Sequence, residues 1–168
     1  MSLVVLLGGA RSGKSTLALR LAVGSGAPVT YLATGEGLDD EMAARIAAHR
    51  SERPAEWTTL EEPLELGRAI ESVPADEMLV VDCLSLWVAN VLERRDSTSV
   101  EPESAVAAEA AAGRPGLTVA VSNEVGLGVV PATPLGRAYR DVLGRVNQQW
   151  VEASSEASFV VAGRRIPL

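Results

Sequence analysis

The chain has 168 residues and contains one cysteine, Cys83, and one histidine, His49. A single cysteine excludes an internal disulfide and a cysteine-rich metal site, and it fits a protein of the reducing cytoplasm. Lysine is equally scarce, because Lys14 is the only lysine among the 15 Lys and Arg residues. Where arginine replaces lysine so generally, the remaining lysine marks a position that needs a compact ammonium group rather than a planar guanidinium.

Excess positive charge is also missing, since the formal net charge is −7. This balance argues against a general affinity for nucleic acid or an anionic membrane, so we expect small-molecule partners. No apolar run is long enough to span a membrane, and the N-terminal run lacks a basic leader, so we expect neither an anchor nor a signal peptide. At 47% hydrophobic residues, 1–168 can fill one core, which predicts a single domain.

The N-terminal segment carries the strongest motif. Five apolar residues, Leu3 to Leu7, predict a buried strand, and Gly8 to Ser15 fits the pattern G-x-x-x-x-G-K-[ST] of a phosphate-binding loop. The glycines let successive amides point at a polyphosphate at the start of the next helix. Lys14 supplies a mobile positive charge to the outer phosphates, and the Ser15 hydroxyl can hold Mg²⁺.

The rest of the chain alternates between strand and helix patterns. This alternation predicts an α/β fold of three layers, a mostly parallel sheet covered by helices on both faces. The predicted strands are 29–33, 57–60, 78–81, 117–121 and 159–162, and the predicted helices are 38–53, 64–73, 84–94 and 134–151.

Two helical stretches carry more specific expectations. The alanine-rich residues 105–112 have helix propensity but almost no large apolar side chains, so we predict a poorly packed surface helix there. In the last predicted helix, Leu135, Val142 and Val146 are expected to share one apolar side.

Asp82 closes the predicted strand 78–81. An acidic residue at the end of a hydrophobic strand is the usual partner of a phosphate-binding loop, because its carboxylate orders Mg²⁺ or the water on it. Many strands end in aspartate for structural reasons, but the loop at Gly8 to Ser15 favours the functional interpretation of Asp82.

A cationic cluster lies on the predicted helix 38–53, where Arg45, His49 and Arg53 follow one another at single-turn spacing and Arg50 lies beside them. Spacing alone favours ordinary roles, since a histidine on such a helix is more often a surface or core residue and helix arginines are usually solvated. The cluster therefore gains a functional interpretation only when it is considered together with other segments.

Taken together, the ordered motifs resemble the bifunctional adenosylcobinamide kinase / adenosylcobinamide-phosphate guanylyltransferase family of cobalamin biosynthesis. The resemblance runs from Leu3 almost to Leu168. Its blocks are Gly8 to Ser15, Asp40-Glu41-Met42, Arg45-Ile46, His49-Arg50, Arg53-Pro54, Trp57, Glu61-Glu62-Pro63, Val81 to Leu84, Asn90, Val121 to Gly126, Val130-Pro131, Arg140-Asp141, Gly144 and Asn147-Gln148.

The resemblance implies a phosphate-loop domain, usually trimeric, that uses ATP or GTP with Mg²⁺ and a corrinoid substrate, adenosylcobinamide. It implies that His49 is the residue that becomes guanylylated, and that Ser15 and Asp82 serve the metal. Within Ser122 to Pro131 we place a candidate corrinoid contact. The implied nucleotide-contacting positions are Gly8, Gly9, Ala10, Arg11, Ser12, Gly13, Lys14, Ser15, Ala33, Thr34, Gly35, Arg50, Ser51, Glu52, Arg53, Glu61 and Asp82.

Two alternatives share the phosphate-binding loop. A single-function small-molecule kinase of the same fold would need the loop and Asp82 but no reactive histidine. A nucleotide switch would also keep the loop, yet familiar GTPase switches recognise guanine with an Asn-Lys-x-Asp segment. With Lys14 as the only lysine, this chain contains no such segment, so the switch is disfavoured.

Overall fold

The structure is a computed structural model that describes residues 3–37, 39–51 and 53–168. Its strands are β1 (Leu3–Gly8), β2 (Val29–Ala33), β3 (Thr58–Glu61), β4 (Met78–Asp82), β5 (Thr118–Asn123), β6 (Glu156–Val161) and β7 (Arg164–Pro167). Its α-helices are α1 (Lys14–Ser25), α2 (Asp40–Ser51), α3 (Leu66–Ser72), α4 (Leu84–Arg94), α5 (Val100–Gly113) and α6 (Pro134–Ala153), with a short 3-10 turn at Ser97–Ser99.

The strands of this described part form one sheet in the order β3-β2-β4-β5-β1-β6-β7. All neighbours from β3 to β6 pair in parallel, and β7 alone runs antiparallel, against β6. The mostly parallel α/β sheet predicted from the sequence is therefore confirmed.

Strand β7 was not predicted. It follows a reversal at Ala162 and Gly163, whose φ values are 49° and 73°. Two successive residues with positive φ make the tight hairpin turn that suits the sheet twist. Because alanine rarely adopts this conformation, the sequence carries little signal for the turn.

Helices cover both faces of the sheet, as predicted. One apolar cluster joins β-strand side chains to α3, α4, α5 and α6 and contains the fully buried Trp87 and Trp150. The second cluster joins the opposite face to α1 through Ala18 and Ala22. Because strands β1 to β6 run parallel, their carboxyl ends lie at one edge of the sheet, between the two layers of helices.

The prediction for the alanine-rich segment was wrong, because α5 is well packed. Its Val100, Ala107 and Ala111 are fully buried, and the helix packs between α3 and α6. Small side chains allow this close approach: a Cβ added at Gly67 of α3 would lie 3.9 Å from the Ala107 Cα. Alanine here serves helix contact rather than exposure.

The expectation for Leu135 was also wrong. Val142 and Val146 are buried on the core side of α6, but Leu135 is 61% exposed. Helix α6 begins at Pro134 and is capped by Thr133, whose hydroxyl accepts a hydrogen bond from the Gly136 N–H at 3.1 Å. The first turn of α6 therefore leaves Leu135 outside the core that the middle of the helix reaches.

A buried arginine ties the end of α3 to the segment before β5. The Arg114 guanidinium donates to the carbonyl oxygens of Ile70 (3.3 Å), Val73 (2.7 Å), Pro74 (2.9 Å) and Glu77 (2.9 Å). Burial lowers the pKa of Arg114 from its ordinary value, with the nearby Glu77 opposing the shift. The side chain thus donates to carbonyl oxygens at the end of α3 and in the turn that follows it, before β4.

We expect Arg114→Met to lower the free energy of unfolding by about 2–4 kcal/mol, because methionine keeps part of the aliphatic stem but loses the hydrogen bonds that the guanidinium donates to four carbonyl oxygens. Urea unfolding followed by circular dichroism measures the loss. Arg145→Met is the matched control, since Arg145 is half exposed and, within the described part of the chain, its side chain bonds the Glu101 carboxylate alone, at 2.7 Å. Equal stability of the two variants would contradict the structural role of Arg114.

Candidate active site

A cavity of about 590 Å³ opens where β1, β2, β4 and β5 end, and α2 forms its outer wall. Open parallel sheets bind ligands at this edge. Many of the predicted site residues line the cavity: Ala10, Arg11, Ser12, Gly13, Lys14, Ser15, Ala33, Gly35, His49, Arg53 and Asp82. The structure therefore brings the phosphate-binding loop, the strand-end acid and the helix histidine to one space.

Other predicted positions lie around the cavity rather than in its wall. Thr34 is buried, and its hydroxyl accepts from the Cys83 N–H at 2.9 Å and donates to the Cys83 carbonyl oxygen at 2.7 Å, which ties the ends of β2 and β4 together. Arg50 and Glu61 form an exposed ion pair at 3.5 Å.

The other predicted positions belong to α2 or to the start of the phosphate-binding loop, or lie outside the described residues. The Ser51 hydroxyl donates to the Ala48 carbonyl oxygen at 2.7 Å, within α2. Glu52 lies outside the described residues, as does the side chain of Arg45. Gly8 and Gly9 begin the phosphate-binding loop at the end of β1.

Two positions of the phosphate-binding loop require glycine, one for space and one for backbone conformation. A Cβ added at Gly8 would lie 2.3 Å from the carbonyl oxygen of Val160 on β6. Gly13 has a φ of 99° and caps the N-terminus of α1 in a conformation that favours glycine. The N–H of Gly163 donates to the Ser12 carbonyl oxygen at 2.8 Å, so the turn between β6 and β7 is hydrogen-bonded to the phosphate-binding loop.

Lys14 is the first residue of α1 and is 6% exposed. Its ammonium group donates to the Gly9 carbonyl oxygen at 2.7 Å and lies 3.4 Å from the Ser12 hydroxyl. The side chain therefore spans its own loop at the positive end of a helix, where anions bind favourably.

His49 lies in the last turn of α2 and is half buried. Met42, Ile46 and His49 all line the cavity, so the predicted shared face of this helix turns toward the nucleotide loop. Arg53 follows the helix and also lines the cavity. The imidazole of His49 is thus placed in the same space as Lys14.

Sequence reasoning missed Tyr31, which lines the cavity from β2. Its hydroxyl donates to the Asp82 carboxylate, and the Arg53 guanidinium lies 3.5 Å from the ring centroid. Burial, and then the charge of Asp82, raise the pKa of Tyr31 above its ordinary value, so the hydroxyl keeps its proton. The available signal was weak: Tyr31 precedes Ala33 by two residues and so shares its face of the sheet.

The thiol of Cys83 also borders the cavity, but it is poorly suited to nucleophilic chemistry. Burial, reinforced by the neighbouring charge of Asp82, raises the pKa of Cys83 to about 11. The group is therefore a neutral thiol at physiological pH, and thiolate is the reactive form.

Comparison with known proteins now identifies the family. A family model described as cobinamide kinase / cobinamide phosphate guanyltransferase matches residues 4–168. The chain belongs to this family. The resemblance seen in the sequence is confirmed, and members of this family are transferases that use nucleotides as kinases and guanylyltransferases.

Curated relatives agree with this placement. The chain is 47% identical over 165 residues, covering 98% of this chain and 95% of the relative, to the bifunctional adenosylcobalamin biosynthesis protein CobP of Pseudomonas aeruginosa. It is 41% identical over 175 aligned positions, covering 96% of each chain, to the bifunctional adenosylcobalamin biosynthesis protein CobU of Escherichia coli.

A solved structure of low sequence identity shares the fold of this chain. The crystal structure of the RadB recombinase superposes with a TM-score of 0.52 at 19% identity, over 94% of this chain and 73% of that one. Within the described residues, no helix has both the length and the apolar character needed to cross a membrane.

Proposed function

We propose that the protein phosphorylates adenosylcobinamide with ATP or GTP and then transfers GMP from GTP, through a GMP–His49 intermediate, to give adenosylcobinamide-GDP. The observation that carries this proposal is that Lys14 and His49 line one cavity. A cavity of about 590 Å³ lies within the range of small-molecule sites. One bound triphosphate can therefore meet both residues.

The kinase step uses the phosphate-binding loop. Backbone amides at the start of α1 and the Lys14 ammonium would hold the outer phosphates, and so offset the charge that spreads over the transferring phosphoryl group. The hydroxyl oxygen of adenosylcobinamide attacks the γ phosphorus and gives up its proton to solvent, while the bond from the γ phosphorus to the bridging oxygen breaks and the nucleoside diphosphate leaves. After the transfer, the positive end of α1 and the Lys14 ammonium stabilise the negative charge of the nucleoside diphosphate in the loop.

Ser15 and Asp82 fit Mg²⁺. Both line the cavity, and both present oxygen atoms, the ligand type that Mg²⁺ prefers. Among the described residues, no cluster of three or more His, Cys, Asp or Glu side chains could hold a metal by itself, so nucleotide phosphates would complete the site. The bound ion would supply charge neutralisation to the phosphates.

In the guanylyl step, an imidazole nitrogen of His49 attacks the α phosphorus of GTP, a nitrogen–phosphorus bond forms, and pyrophosphate leaves. A phosphate oxygen of adenosylcobinamide phosphate then attacks the same phosphorus and releases His49. Passage through a covalent intermediate divides one difficult transfer into two easier ones. Arg53, which lines the cavity, is placed to stabilise the transferring charge.

The corrinoid contact within Ser122 to Pro131 stays a prediction that the structure supports. Asn123 lines the cavity, and the apolar residues Leu127 and Val129 are strongly exposed beyond it. We also propose a homo-oligomer, on the family's pattern a trimer, acting in the cytoplasm.

The proposed function is tested by reconstitution with purified protein. With adenosylcobinamide and γ-labelled ATP or GTP, we expect labelled adenosylcobinamide phosphate, and with further GTP, but not ATP, its conversion to adenosylcobinamide-GDP with release of pyrophosphate. Chromatography and mass spectrometry identify each product. Accumulation of the phosphate without any GDP product would favour the single-function kinase.

A further inference from the structure

Tyr31 connects two parts of the cavity that come from distant segments. It is 3% exposed, in the middle of β2, between its parallel neighbours Thr59 on β3 and Val80 on β4. Its hydroxyl donates to Oδ2 of Asp82, while Arg53 covers its ring. Tyr31 therefore contacts two charged groups, one through its hydroxyl and the other through the face of its ring.

The Arg53 contact is itself anchored. The Arg53 guanidinium donates to the Thr59 hydroxyl at 3.3 Å, and its backbone N–H donates to the Arg50 carbonyl oxygen at 3.3 Å. A cation over a tyrosine ring is attracted by the π electrons. Arg53 thus packs on the ring of Tyr31 and is held there by a bond to the neighbouring strand β3.

Asp82 is the last residue of β4, and without a partner its carboxylate would be free to rotate toward solvent. A hydrogen bond from a neutral donor to a carboxylate is short and strong, so the Tyr31 hydroxyl fixes the position of Oδ2. Asp82 and Ser15 both line the cavity. The Tyr31 hydroxyl therefore orients a carboxylate that borders the space where the ligand would bind.

We propose that Tyr31 is a positioning residue for the metal–nucleotide complex, acting through the Asp82 carboxylate and held in place by Arg53. The inference rests on the proposed role of Asp82 at the metal. In the apoprotein, Tyr31 sets the carboxylate in its binding orientation, so that metal binding does not require the side chain to be ordered afresh.

The test measures binding rather than turnover. A fluorescent α,β-methylene GTP analogue, which cannot guanylylate His49, is titrated against each variant in EDTA and in Mg²⁺. We expect Tyr31→Phe, which keeps the ring beneath Arg53, to lose about tenfold of the affinity that Mg²⁺ adds. Its affinity in EDTA and its thermal midpoint should stay close to those of the wild type.

Tyr139→Phe is the matched control, because the half-buried Tyr139 also donates through its hydroxyl, to the Ser85 carbonyl oxygen at 3.1 Å, but does not line the cavity. It should keep the full gain from Mg²⁺. Asp82→Asn should lose that gain, and adding Tyr31→Phe to it should remove nothing more, since coupled residues are not additive.

The outcomes distinguish the positioning role of Tyr31 from the metal-binding role of Asp82. An unchanged Mg²⁺ gain in Tyr31→Phe, with the gain lost in Asp82→Asn, overturns the role of Tyr31 and leaves the metal assignment standing. An equal loss of affinity in EDTA and in Mg²⁺ would show a merely structural tyrosine and also overturns the inference. A full Mg²⁺ gain in Asp82→Asn instead refutes the metal assignment in the proposed function.

Discussion

Replacing His49 with alanine should abolish formation of the guanylylated protein and lower guanylyl transfer by about a thousandfold or more. The reason is that the variant lacks the proposed nucleophile that attacks the α phosphorus of GTP. Phosphorylation of adenosylcobinamide should persist, since Lys14 and the loop are untouched. Under the proposed function, the two steps share one cavity but use different residues, Lys14 on α1 and His49 on α2.

The measurement uses α-labelled GTP with Mg²⁺. The wild-type protein should retain label that is labile in acid and stable in base, as expected of a phosphorus–nitrogen bond, and should release pyrophosphate. His49 is the only histidine, so no second imidazole can take its place. Label on the His49→Ala protein would refute the assignment. Its persisting kinase activity serves as the internal control for folding.

Lys14→Ala and Lys14→Arg should each lower the rate of adenosylcobinamide phosphorylation by about a hundredfold or more, because the ammonium is the mobile charge that reaches the outer phosphates. Arginine should fail as well as alanine. Lys14 is nearly buried, with its nitrogen 2.7 Å from the Gly9 carbonyl oxygen, and a planar guanidinium is larger and differently shaped.

Initial rates with labelled ATP or GTP and thermal unfolding by circular dichroism check this result. Arg20→Ala is the control, since Arg20 is an exposed cation on the same helix and does not line the cavity. It should keep the wild-type rate. A Lys14→Ala protein with a near wild-type rate and an unchanged fold would remove the loop from the kinase mechanism.

Much of the site could be predicted because its signals are local. The pattern from Gly8 to Ser15 is contiguous, and the geometry that it requires belongs to a single strand, loop and helix. Asp82 was predicted because a buried strand visibly ends there. His49 needed more, since helix spacing alone did not favour it and only the ordered resemblance of several segments raised it above a surface residue.

The residues that were missed or misjudged act across the sheet. Tyr31 meets Asp82 only because β2 and β4 pair in a register that sets Ala33 beside Asp82. Helix α5 looked exposed because its alanines are small, yet small residues are what a close helix contact requires. Neither pairing leaves a periodic mark in the chain.

The sequence by itself determined the alternation of strands and helices, the phosphate-binding loop and the family, since these depend on local spacing and ordered motifs. Only the tertiary structure decided that Lys14 and His49 face one cavity, that Arg114 closes the end of α3, and that Tyr31 holds Asp82. Such contacts depend on strand order and register, which arise when distant segments bury their apolar faces together.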